Sequence, residues 1–505
     1  MCEYNEEYRP QIHFSQPRMW MNDPNGLVYH NGFYHLFYQH NPFATVWGPM
    51  HWGHAVSKDL IHWTHLPIAL YPNKLGTIFS GCALVDYRNV TGFQRNKKTK
   101  VLIAVFTQHI FHREEEPQEY IQYQSLAYSI DNGYRWKMYK NNPIIRAENN
   151  ETSKKVDFRD PNIIEYNDYF VLVLAAFNKV IFYRSDDLKQ WSKLSEFGAE
   201  PKSGHHGGIW ECPDLIYFKS IDIWVLLVSI NPGGPNNGSA TQYFIGKFDG
   251  ERFINLNSPE TKLWVDYGPD SYAGITWFGR SLKQKVFISW MNNWHYGKSV
   301  PTKSWRGQMT IPRYLHVSRL NNNYYLRSTP INLNKIQSKK LKKLFNINLT
   351  ANKHTRELQR NICVMVMKVT LLFNIAQLSD QDSFQLCLRN ENESVCVGFN
   401  NVKNEYFINR SNVGNTTFHP LYTVNAYSPR LSHSNYMHWQ LIIDKTSVEL
   451  FADHGFTVMT ALFFPNKPLT RIELQLFTSN YSSKLTLVES YFRRLKSIWN
   501  HKAGR

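Results

Sequence analysis

The feature that most constrains the fold of this chain is a polar turn that recurs four times, each time shortly before an aromatic residue. The four turn and aromatic pairs are Asp59 with Trp63, Asp131 with Trp136, Asp187 with Trp191, and Asp249 with Phe253. Each turn follows an apolar segment of strand length, and successive turns are roughly 55 to 75 residues apart, a step that suits a four-stranded blade with its loops. With the strands that flank Trp290, the pattern predicts a five-bladed β-propeller.

The whole chain is predicted to be all-β and to contain two domains. Its 505 residues exceed the size at which one hydrophobic core stops growing, and an aromatic content of 15% is typical of β-rich globular proteins. The turn pattern lapses in an Asn- and Lys-rich stretch, and alternating strands of the kind found in β-sandwiches follow it. We therefore expect a five-bladed β-propeller over residues 1–325, a linker over 326–343 and a C-terminal β-sandwich over 344–505.

The formal net charge of +17 raises the possibility of a polyanion-binding protein. The basic residues are scattered, however, and their clusters are short: Lys97-Lys98, Lys339–Lys343 and Arg493-Arg494. No nucleic-acid-binding module accompanies them, so the charge is interpreted as solvated surface and no nucleic-acid partner is predicted. A polyanion-binding protein would instead show strongly salt-sensitive retention on nucleic acid or heparin.

Cysteine and apolar patterns exclude several other classes. Six Cys in so long a chain do not form a disulfide scaffold, and no Cys/His spacing indicates zinc, so no metal or cofactor is predicted. Cys387 and Cys396 flank a short polar stretch, and either one cross-strand bridge or two free thiols is compatible with that spacing. The longest apolar runs, Tyr169–Phe177 and Ile223–Ile230, have strand length, so no membrane segment is predicted.

The location of the protein is addressed by two weaker signals. The first ten residues are acidic and polar and contain no apolar core of a signal peptide. Asn-x-Ser/Thr sequons favour secretion, while a cytoplasmic location stays open. The eight sequons begin at Asn89, Asn150, Asn237, Asn348, Asn392, Asn409, Asn415 and Asn480.

Three acidic segments are the strongest functional signal in the chain. They are Trp20–Gly26 (WMNDPNG), Phe158–Pro161 (FRDP) and Trp210–Asp214 (WECPD). Each places a carboxylate beside an aromatic residue or a turn-forming Pro, and buried carboxylates more often serve chemistry than packing. One such segment alone is ordinary turn chemistry, but three in this order predict a site.

Two carboxylates with different protonation states are what cleavage of a glycosidic bond requires. Asp23 lies in a polar turn with Asn22 and Asn25, whose amides can stabilise an ionised nucleophile. Glu211 stands between Trp210 and Cys212, an apolar setting that favours a protonated acid.

Asp160 is predicted to have a third role. The neighbouring Arg159 should keep Asp160 ionised, which suits binding of substrate hydroxyls better than proton transfer. In a propeller the three carboxylates would come from different blades and converge on the central funnel.

These residues give the chain a close resemblance to glycoside hydrolase family 32, the invertase or β-fructofuranosidase family. The resemblance implies that Asp23 is the nucleophile, Glu211 the general acid/base and Asp160 the transition-state stabiliser. It extends over essentially the whole chain, including Asp266–Gly268 and the strands around Val448–Phe451.

The resemblance also implies a set of substrate-binding residues. They are Trp20, Asn22, Gln39, Trp47, Phe79, Ser80, Arg159, Trp290 and Trp294. The chain departs from the family at Ser271, where Phe is common, and at Cys82, where Ser is frequent. Loss of the Phe is expected to open or polarise the rim of the pocket, which makes the leaving-group preference less secure than the chemistry.

The implied reaction is retaining hydrolysis of terminal β-D-fructofuranosides through a fructosyl-enzyme, and sucrose is the leading substrate. It requires Asp23 and Glu211 to be about 5–5.5 Å apart. Fructan hydrolysis or fructosyl transfer would use the same three carboxylates and differ on the acceptor side. A non-catalytic carbohydrate-binding propeller is the remaining alternative, and it would bind sucrose without releasing fructose.

Overall fold

A computed structural model describes residues 4–96, 99–111, 120–147, 157–199, 202–360 and 366–499. The sequon at Asn150 and the pair Lys97-Lys98 lie outside these residues. The described residues form seven sheets, five in the first part and two in the second, whose strands pair antiparallel except at one edge, so the predicted all-β propeller and sandwich are confirmed. Within the described ranges, no helix has the length and apolar character needed to cross a membrane.

Each blade of the propeller is one sheet in which consecutive strands pair. Blade 1 contains β1 (Met19–His30), β2 (Phe33–Asn41), β3 (His51–Ser57) and β4 (Trp63–Leu70). Blade 2 contains β5 (Thr77–Asp86), β6 (Val101–Phe111), β7 (Tyr120–Ser129), β8 (Lys137–Met138) and β9 (Ile145–Arg146). Blade 3 contains β10 (Arg159–Tyr166), β11 (Tyr169–Ala176), β12 (Lys179–Ser185) and β13 (Ser192–Phe197).

Blades 4 and 5 complete the ring. Blade 4 contains β14 (Ile209–Phe218), β15 (Ile223–Asn231), β16 (Ala240–Phe248) and β17 (Phe253–Asn255). The next strands are β18 (Tyr272–Thr276), β19 (Lys285–Trp290), β20 (Trp305–Arg306), β21 (Arg313–Leu320) and β22 (Asn323–Pro330). Blade 5 uses all of these except β20, which pairs in parallel with β1 and so ties the end of the ring to its beginning. The first strands of the blades contact one another in a closed cycle around the axis.

The recurring polar turns join the third and fourth strands of blades 1 to 4. In blade 1 the Ser57 hydroxyl accepts hydrogen bonds from the amides of Asp59 and Leu60, and the Asp59 carboxylate accepts those of Ile61 and His62. The Ser185 and Asp187 side chains accept the same bonds in blade 3. Blade 5 instead turns through Asn321 and Asn322, both with positive φ, which is why its turn lacks the Asp signal.

The two longest apolar runs are the second strands of blades 3 and 4. All residues of β15 from Ile223 to Ile230 are buried, because each face of this strand is covered by a neighbouring blade. A strand buried on both faces shows a continuous apolar run instead of alternation.

The second domain is a sandwich of two six-stranded sheets. One sheet contains β23, β25, β30, β31, β32 and β34, and the other contains β24, β26, β27, β28, β29 and β33. The strand bounds are β23 (Gln337–Thr350), β24 (Thr355–Gln359), β25 (Met367–Gln377), β26 (Ser383–Arg389), β27 (Ser394–Asn400), β28 (Glu405–Asn412), β29 (Ala426–Pro429), β30 (Tyr436–Asp444), β31 (Ser447–Ala452), β32 (Thr457–Leu462), β33 (Arg471–Phe477) and β34 (Lys484–Leu495). Short 3-10 helices lie at Asn334–Ile336, Pro420–Thr423 and Asp453–Gly455. A disulfide joins Cys387 and Cys396 across β26 and β27, which resolves the alternative that the sequence left open.

The predicted linker over residues 326–343 is wrong, because β22 continues to Pro330 and β23 begins at Gln337. Only residues 331–336 connect the two domains outside these strands. The Asn and Lys residues that suggested a linker lie in the blade 5 turn, in the connection with its short 3-10 helix, and on partly exposed strands, so their polarity reflects solvent exposure and not an absence of structure.

Candidate active site

The site is built from five β-bulges at equivalent positions of the five innermost strands. In each blade the pairing of the first strand with the second shifts register over two residues. The bulged pairs are Asn22-Asp23, Phe79-Ser80, Asp160-Pro161, Cys212-Pro213 and Ala273-Gly274. Because a bulge bends the strand and re-aims its side chains, the five blades present side chains to one point on the propeller axis.

Three of the bulges use a backbone conformation that is rare for residues other than glycine. The φ angles of Asp160, Cys212 and Ala273 are 63°, 46° and 54°. Such a conformation has a cost of about 1–3 kcal/mol per residue and is concentrated at functional sites. The strain at Asp160 and Cys212 therefore marks two of the three acidic segments that the sequence singled out.

Asp23 is held by side chains from two other blades as well as its own. Its Oδ2 accepts a hydrogen bond from the Ser80 hydroxyl at 2.7 Å, and its Oδ1 accepts one from the Asn22 amide at 3.0 Å. The Cys212 thiol lies 3.7 Å from the same Oδ2. Burial raises the pKa of Asp23 to about 6 against the effect of these hydrogen bonds, and the nearby Glu211 charge acts in the same direction as burial.

Asp160, like Asp23, contacts Cys212. Its Oδ2 accepts the Cys212 backbone N–H at 3.0 Å and lies 3.6 Å from the Cys212 sulfur. Burial raises the pKa of Asp160 to about 7, although the Arg159 guanidinium opposes that change. The prediction that the neighbouring Arg159 keeps Asp160 ionised did not include this burial, because the sequence does not show how deeply the carboxyl group is buried.

The surroundings of Glu211 are polar, so the apolar setting expected from its sequence neighbours was wrong. The Arg159 guanidinium donates to Glu211 Oε1 from Nε at 3.2 Å and from Nη2 at 3.1 Å. The Tyr272 hydroxyl donates to the other oxygen, Oε2. Trp210 is fully buried, because side chains alternate along a strand and it points to the opposite face.

Arg159 connects Glu211 to a second carboxylate. Its Nη1 donates to Asp157 and, at 3.3 Å, to the side-chain oxygen of Gln122. Glu211 is the more open member of the group, with 20% of its side chain exposed against 6% for Asp160. Asp23 and Asp160 thus form a buried floor, and exposure to solvent increases towards Glu211.

The other predicted polar contacts lie close to this floor. Gln39 on β2 donates to the Asn25 side chain at 2.8 Å, and Asn22 also accepts the Trp20 indole N–H at 2.7 Å. Ser80 contacts Asp23 directly. Gln39 and Asn22 are almost completely buried, so both are placed to orient the residues that face the pocket.

The five predicted aromatic residues form one cluster with two layers. Trp20 and Trp290 have no exposed surface because neighbouring side chains cover them, and their role in substrate binding stays a prediction. Both pack against Trp294, with ring centroids 5.9 and 4.9 Å away. Trp294, Trp47 and Phe79 are partly exposed and pack on this layer, so they form the aromatic rim.

The structure adds residues that the sequence reasoning did not assign to the site. Tyr272 had a visible signal, because it lies in the block where Ser271 departs from the family. Ser271 itself is buried and bonded to the Ser289 hydroxyl at 2.8 Å, and the effect of the missing Phe on the rim stays a prediction. Gln122 and Asp157 had no signal, since only the tertiary fold brings them to Arg159.

Asp214, the second acid of the third segment, does not join the group. Its Oδ2 accepts the amide and the hydroxyl of Thr276, each at 2.7 Å. It lines a separate cavity of about 890 Å³, together with Lys285. Asp214 directly follows the bulged pair Cys212-Pro213, so one bulge separates the carboxylate that joins the site, Glu211, from the one that does not.

Comparisons with known proteins agree with this geometry. Residues 13–330 match the model "Glycosyl hydrolases family 32 N-terminal domain", and residues 332–491 match "Glycosyl hydrolases family 32 C terminal". A levanase of Bacillus subtilis is 38% identical, covering 98% of this chain and 72% of the levanase. An extracellular exo-inulinase of Aspergillus awamori is 35% identical, covering 98% of this chain and 96% of the relative.

Solved structures give the same result for the fold. The structure of a β-fructofuranosidase from Schwanniomyces occidentalis complexed with fructosyl-erythritol superposes with a TM-score of 0.85. The two chains are 29% identical, and the match covers 98% of this chain and 99% of that one.

Proposed function

Because this chain belongs to glycoside hydrolase family 32, we propose that it is a retaining β-fructofuranosidase that releases terminal fructose from fructans and from sucrose. The observation that carries the proposal is the convergence of Asp23, Asp160 and Glu211 from three blades, where Cys212 contacts both aspartates and Arg159 lies beside Asp160 and Glu211. Asp23 and Asp160 are buried whereas Glu211 is partly exposed, an arrangement that suits the end of a fructoside chain and not its middle.

The proposed mechanism assigns one step to each carboxyl group. Ionised Asp23 attacks the anomeric carbon of the terminal fructosyl unit, while Glu211 donates its proton to the departing glycosidic oxygen. Glu211 then removes a proton from water, which releases fructose from Asp23. Asp160 accepts hydrogen bonds from hydroxyls of the fructosyl ring, and Tyr272 and Arg159 orient Glu211.

The substrate range is proposed to include fructans and not sucrose alone. The sequence favoured sucrose, but the relatives described above are named levanase and exo-inulinase. The three carboxylates act on the fructosyl unit that all these substrates share. The difference between substrates therefore depends on the rim and not on the floor.

Product analysis tests this function directly. With sucrose, inulin and levan as substrates, we expect single fructose units to be released from the start of each reaction, without intermediate oligosaccharides. With methanol present as an acceptor, a retaining mechanism gives methyl β-D-fructofuranoside, which NMR distinguishes from the α anomer. Binding of sucrose without release of fructose would instead indicate the non-catalytic alternative.

The Ser80→Ala variant is predicted to move the acidic limb of the pH profile of kcat/KM to higher pH by about one unit. Asp23 must be ionised to attack, and its pKa is already raised to about 6 by burial. The Ser80 hydroxyl opposes that rise by donating to the carboxylate, and a charge-assisted hydrogen bond is worth about 1.5–3 kcal/mol. Its loss therefore raises the pKa of Asp23 further. The acidic limb reflects the titration of all three coupled carboxyl groups and not of Asp23 alone. The pH at the midpoint of this limb is therefore compared between the wild type and Ser80→Ala.

Thr77→Ala is the matched control for this variant. Thr77 lies on the same strand, and its hydroxyl donates to the His109 carbonyl at 3.2 Å, away from Asp23. We expect its pH profile to superpose on that of the wild type. A Ser80→Ala profile that also superposes would show that Asp23 does not set the acidic limb.

We also propose that the protein is secreted. The Aspergillus awamori relative is named extracellular, and five sequon residues are solvent-exposed: Asn237, Asn348, Asn392, Asn415 and Asn480. Sucrose-hydrolysing activity in the culture medium of the source organism, compared with its washed cells, tests this location.

A further inference from the structure

We propose that Lys298 determines specificity for the leaving group, because its ammonium donates hydrogen bonds to hydroxyls of the sugar unit that departs. The inference rests on the proposed function, since a leaving group exists only if the site cleaves a glycosidic bond. It concerns the outer part of the pocket, where the three carboxylates do not reach.

Lys298 bridges the two sides of the aromatic rim. Its ammonium nitrogen lies 5.8 Å from the centroid of the Trp47 ring and 6.0 Å from that of Trp294. Trp47 comes from the segment between β2 and β3 of blade 1, and Trp294 follows β19 of blade 5. A cation within about 6 Å of an aromatic face is attracted to it, so the two rings hold the ammonium over the mouth of the pocket.

The rim lies on the leaving-group side of the site. Trp47 and Trp294 belong to the cluster that contains Cys212 and Tyr272, and Tyr272 contacts Glu211. The fructosyl unit must lie on the buried floor at Asp23, and Glu211 must face the glycosidic oxygen. The unit on the other side of that oxygen therefore lies between the two rim rings, under Lys298.

The backbone at Lys298 is fixed, although its side chain is exposed. Its carbonyl accepts a hydrogen bond from the Arg306 guanidinium, which also donates to the carbonyl and the hydroxyl of Thr302 at 2.9 and 3.3 Å. Arg306 lies on β20 and pairs with Trp20 on β1, the strand that carries Asp23. Lys298 is thus tied to the same element as the proposed nucleophile.

The Lys298 ammonium retains donors for a ligand. Within the described part of the chain no ion pair or hydrogen bond of this ammonium is found, and its contacts are with the two ring faces. An ammonium has three N–H donors, and contacts with the two ring faces do not use all of them. Hydroxyl oxygens of a hexose or fructose unit are acceptors of the required kind.

Packing of the two rings is the competing explanation of this lysine. A lysine that only covers Trp47 and Trp294 would affect all substrates equally, because the rings would loosen whichever leaving group was present. A lysine that binds the leaving sugar would affect only substrates that have one. The size of the leaving group therefore separates the two roles.

The test compares sucrose with methyl β-D-fructofuranoside, whose leaving group is methanol. For Lys298→Met, we expect the ratio of kcat/KM on sucrose to kcat/KM on the methyl fructoside to fall roughly tenfold, as for loss of one charge-assisted hydrogen bond. Lys298→Arg should keep the ratio within about threefold of the wild type, since it retains charge and donors. When inulin replaces sucrose, the ratio of kcat/KM values should again be lowest for Lys298→Met and close to the wild-type value for Lys298→Arg.

Lys303→Met provides the control for removal of a positive charge from the same segment. Lys303 is exposed and lies 3.5 Å from Glu7, away from the rim, so its ratio should equal that of the wild type. An unchanged ratio for Lys298→Met, or an equal loss on both substrates, would overturn the inference. A wild-type protein that cleaves neither substrate would overturn the proposed function itself, so the two failures are distinguishable.

Discussion

Replacement of Asp23 by Asn is expected to lower kcat on sucrose and on inulin by roughly 10⁴-fold or more, the scale seen when a nucleophile is removed from an enzyme. Asn has nearly the same shape and can still bond with Ser80, which now donates to Asp23 at 2.7 Å. An amide oxygen does not form the covalent intermediate, however, so the loss should be in turnover and not in folding. Initial rates of fructose release, with circular dichroism as the check on folding, measure both.

Glu211→Gln should lose less than Asp23→Asn, by about 10²–10⁴-fold, because general acid/base catalysis contributes on that scale. The loss should be smallest for substrates whose leaving group needs no proton. Glu165→Gln is the matched control, since Glu165 lies on an innermost strand but pairs with Arg280 at 2.7 Å. Activity of Glu211→Gln within tenfold of the wild type would remove Glu211 from the proposed acid role.

The sequence predicted the segments that form the site better than it predicted their surroundings. The polar turns at Asp59 and Asp187 revealed the blades, because local hydrogen bonds between a Ser, an Asp and the following amides depend on sequence alone. Once the blades were known, three acidic segments at the starts of innermost strands had to face one axis.

The parts that could not be predicted depend on the bulges and on burial. The bulge at Cys212 places its sulfur between Asp23 and Asp160, but no neighbouring residue in the sequence indicates it. Glu211 was judged by its chain neighbours Trp210 and Cys212, whereas its real partners come from blades 3 and 5. In a propeller the residues adjacent in sequence lie on opposite faces of a strand, so they are poor guides to a side chain's environment.

The contact between the two domains could not be predicted from the sequence either. It contains a buried network of charged side chains. Arg313 donates to Asp266 at 2.8 Å and to Glu449 at 2.5 Å, and these three side chains are almost fully buried. His13 lies between Glu449 and Asp444, at 2.7 and 2.8 Å. The partners in this network are separated by up to 436 residues, so no local pattern reports them.

Arg313→Leu is expected to lower the free energy of unfolding by about 3–5 kcal/mol, because removing one partner leaves buried carboxylates without compensation. Urea-induced unfolding, followed by tryptophan fluorescence, measures the change. Arg280→Leu is the matched control: Arg280 forms a bidentate pair with Glu165, but half of its side chain is exposed, so a loss of at most about 1 kcal/mol is expected. If the two variants lost equal amounts of unfolding free energy, burial of the interdomain network would not determine its contribution to stability.

The same network should make stability depend on pH through His13. Burial lowers the pKa of this imidazole, but its hydrogen bonds to the Asp444 and Glu449 carboxylates and the charges of these two groups outweigh burial and raise the pKa to about 9. A histidine with a raised pKa stabilises the folded state fully below its ordinary value near 6.5, and this stabilisation is lost as the pH rises towards 9. The wild-type free energy of unfolding should therefore fall between pH 6.5 and 9. Gln cannot titrate there, so the stability of His13→Gln should be lower at pH 6.5 and should vary less with pH over that range than that of the wild type. A wild-type curve as flat as that of His13→Gln would mean that His13 is neutral in the folded protein and that Glu449 and Asp444 are stabilised by other groups.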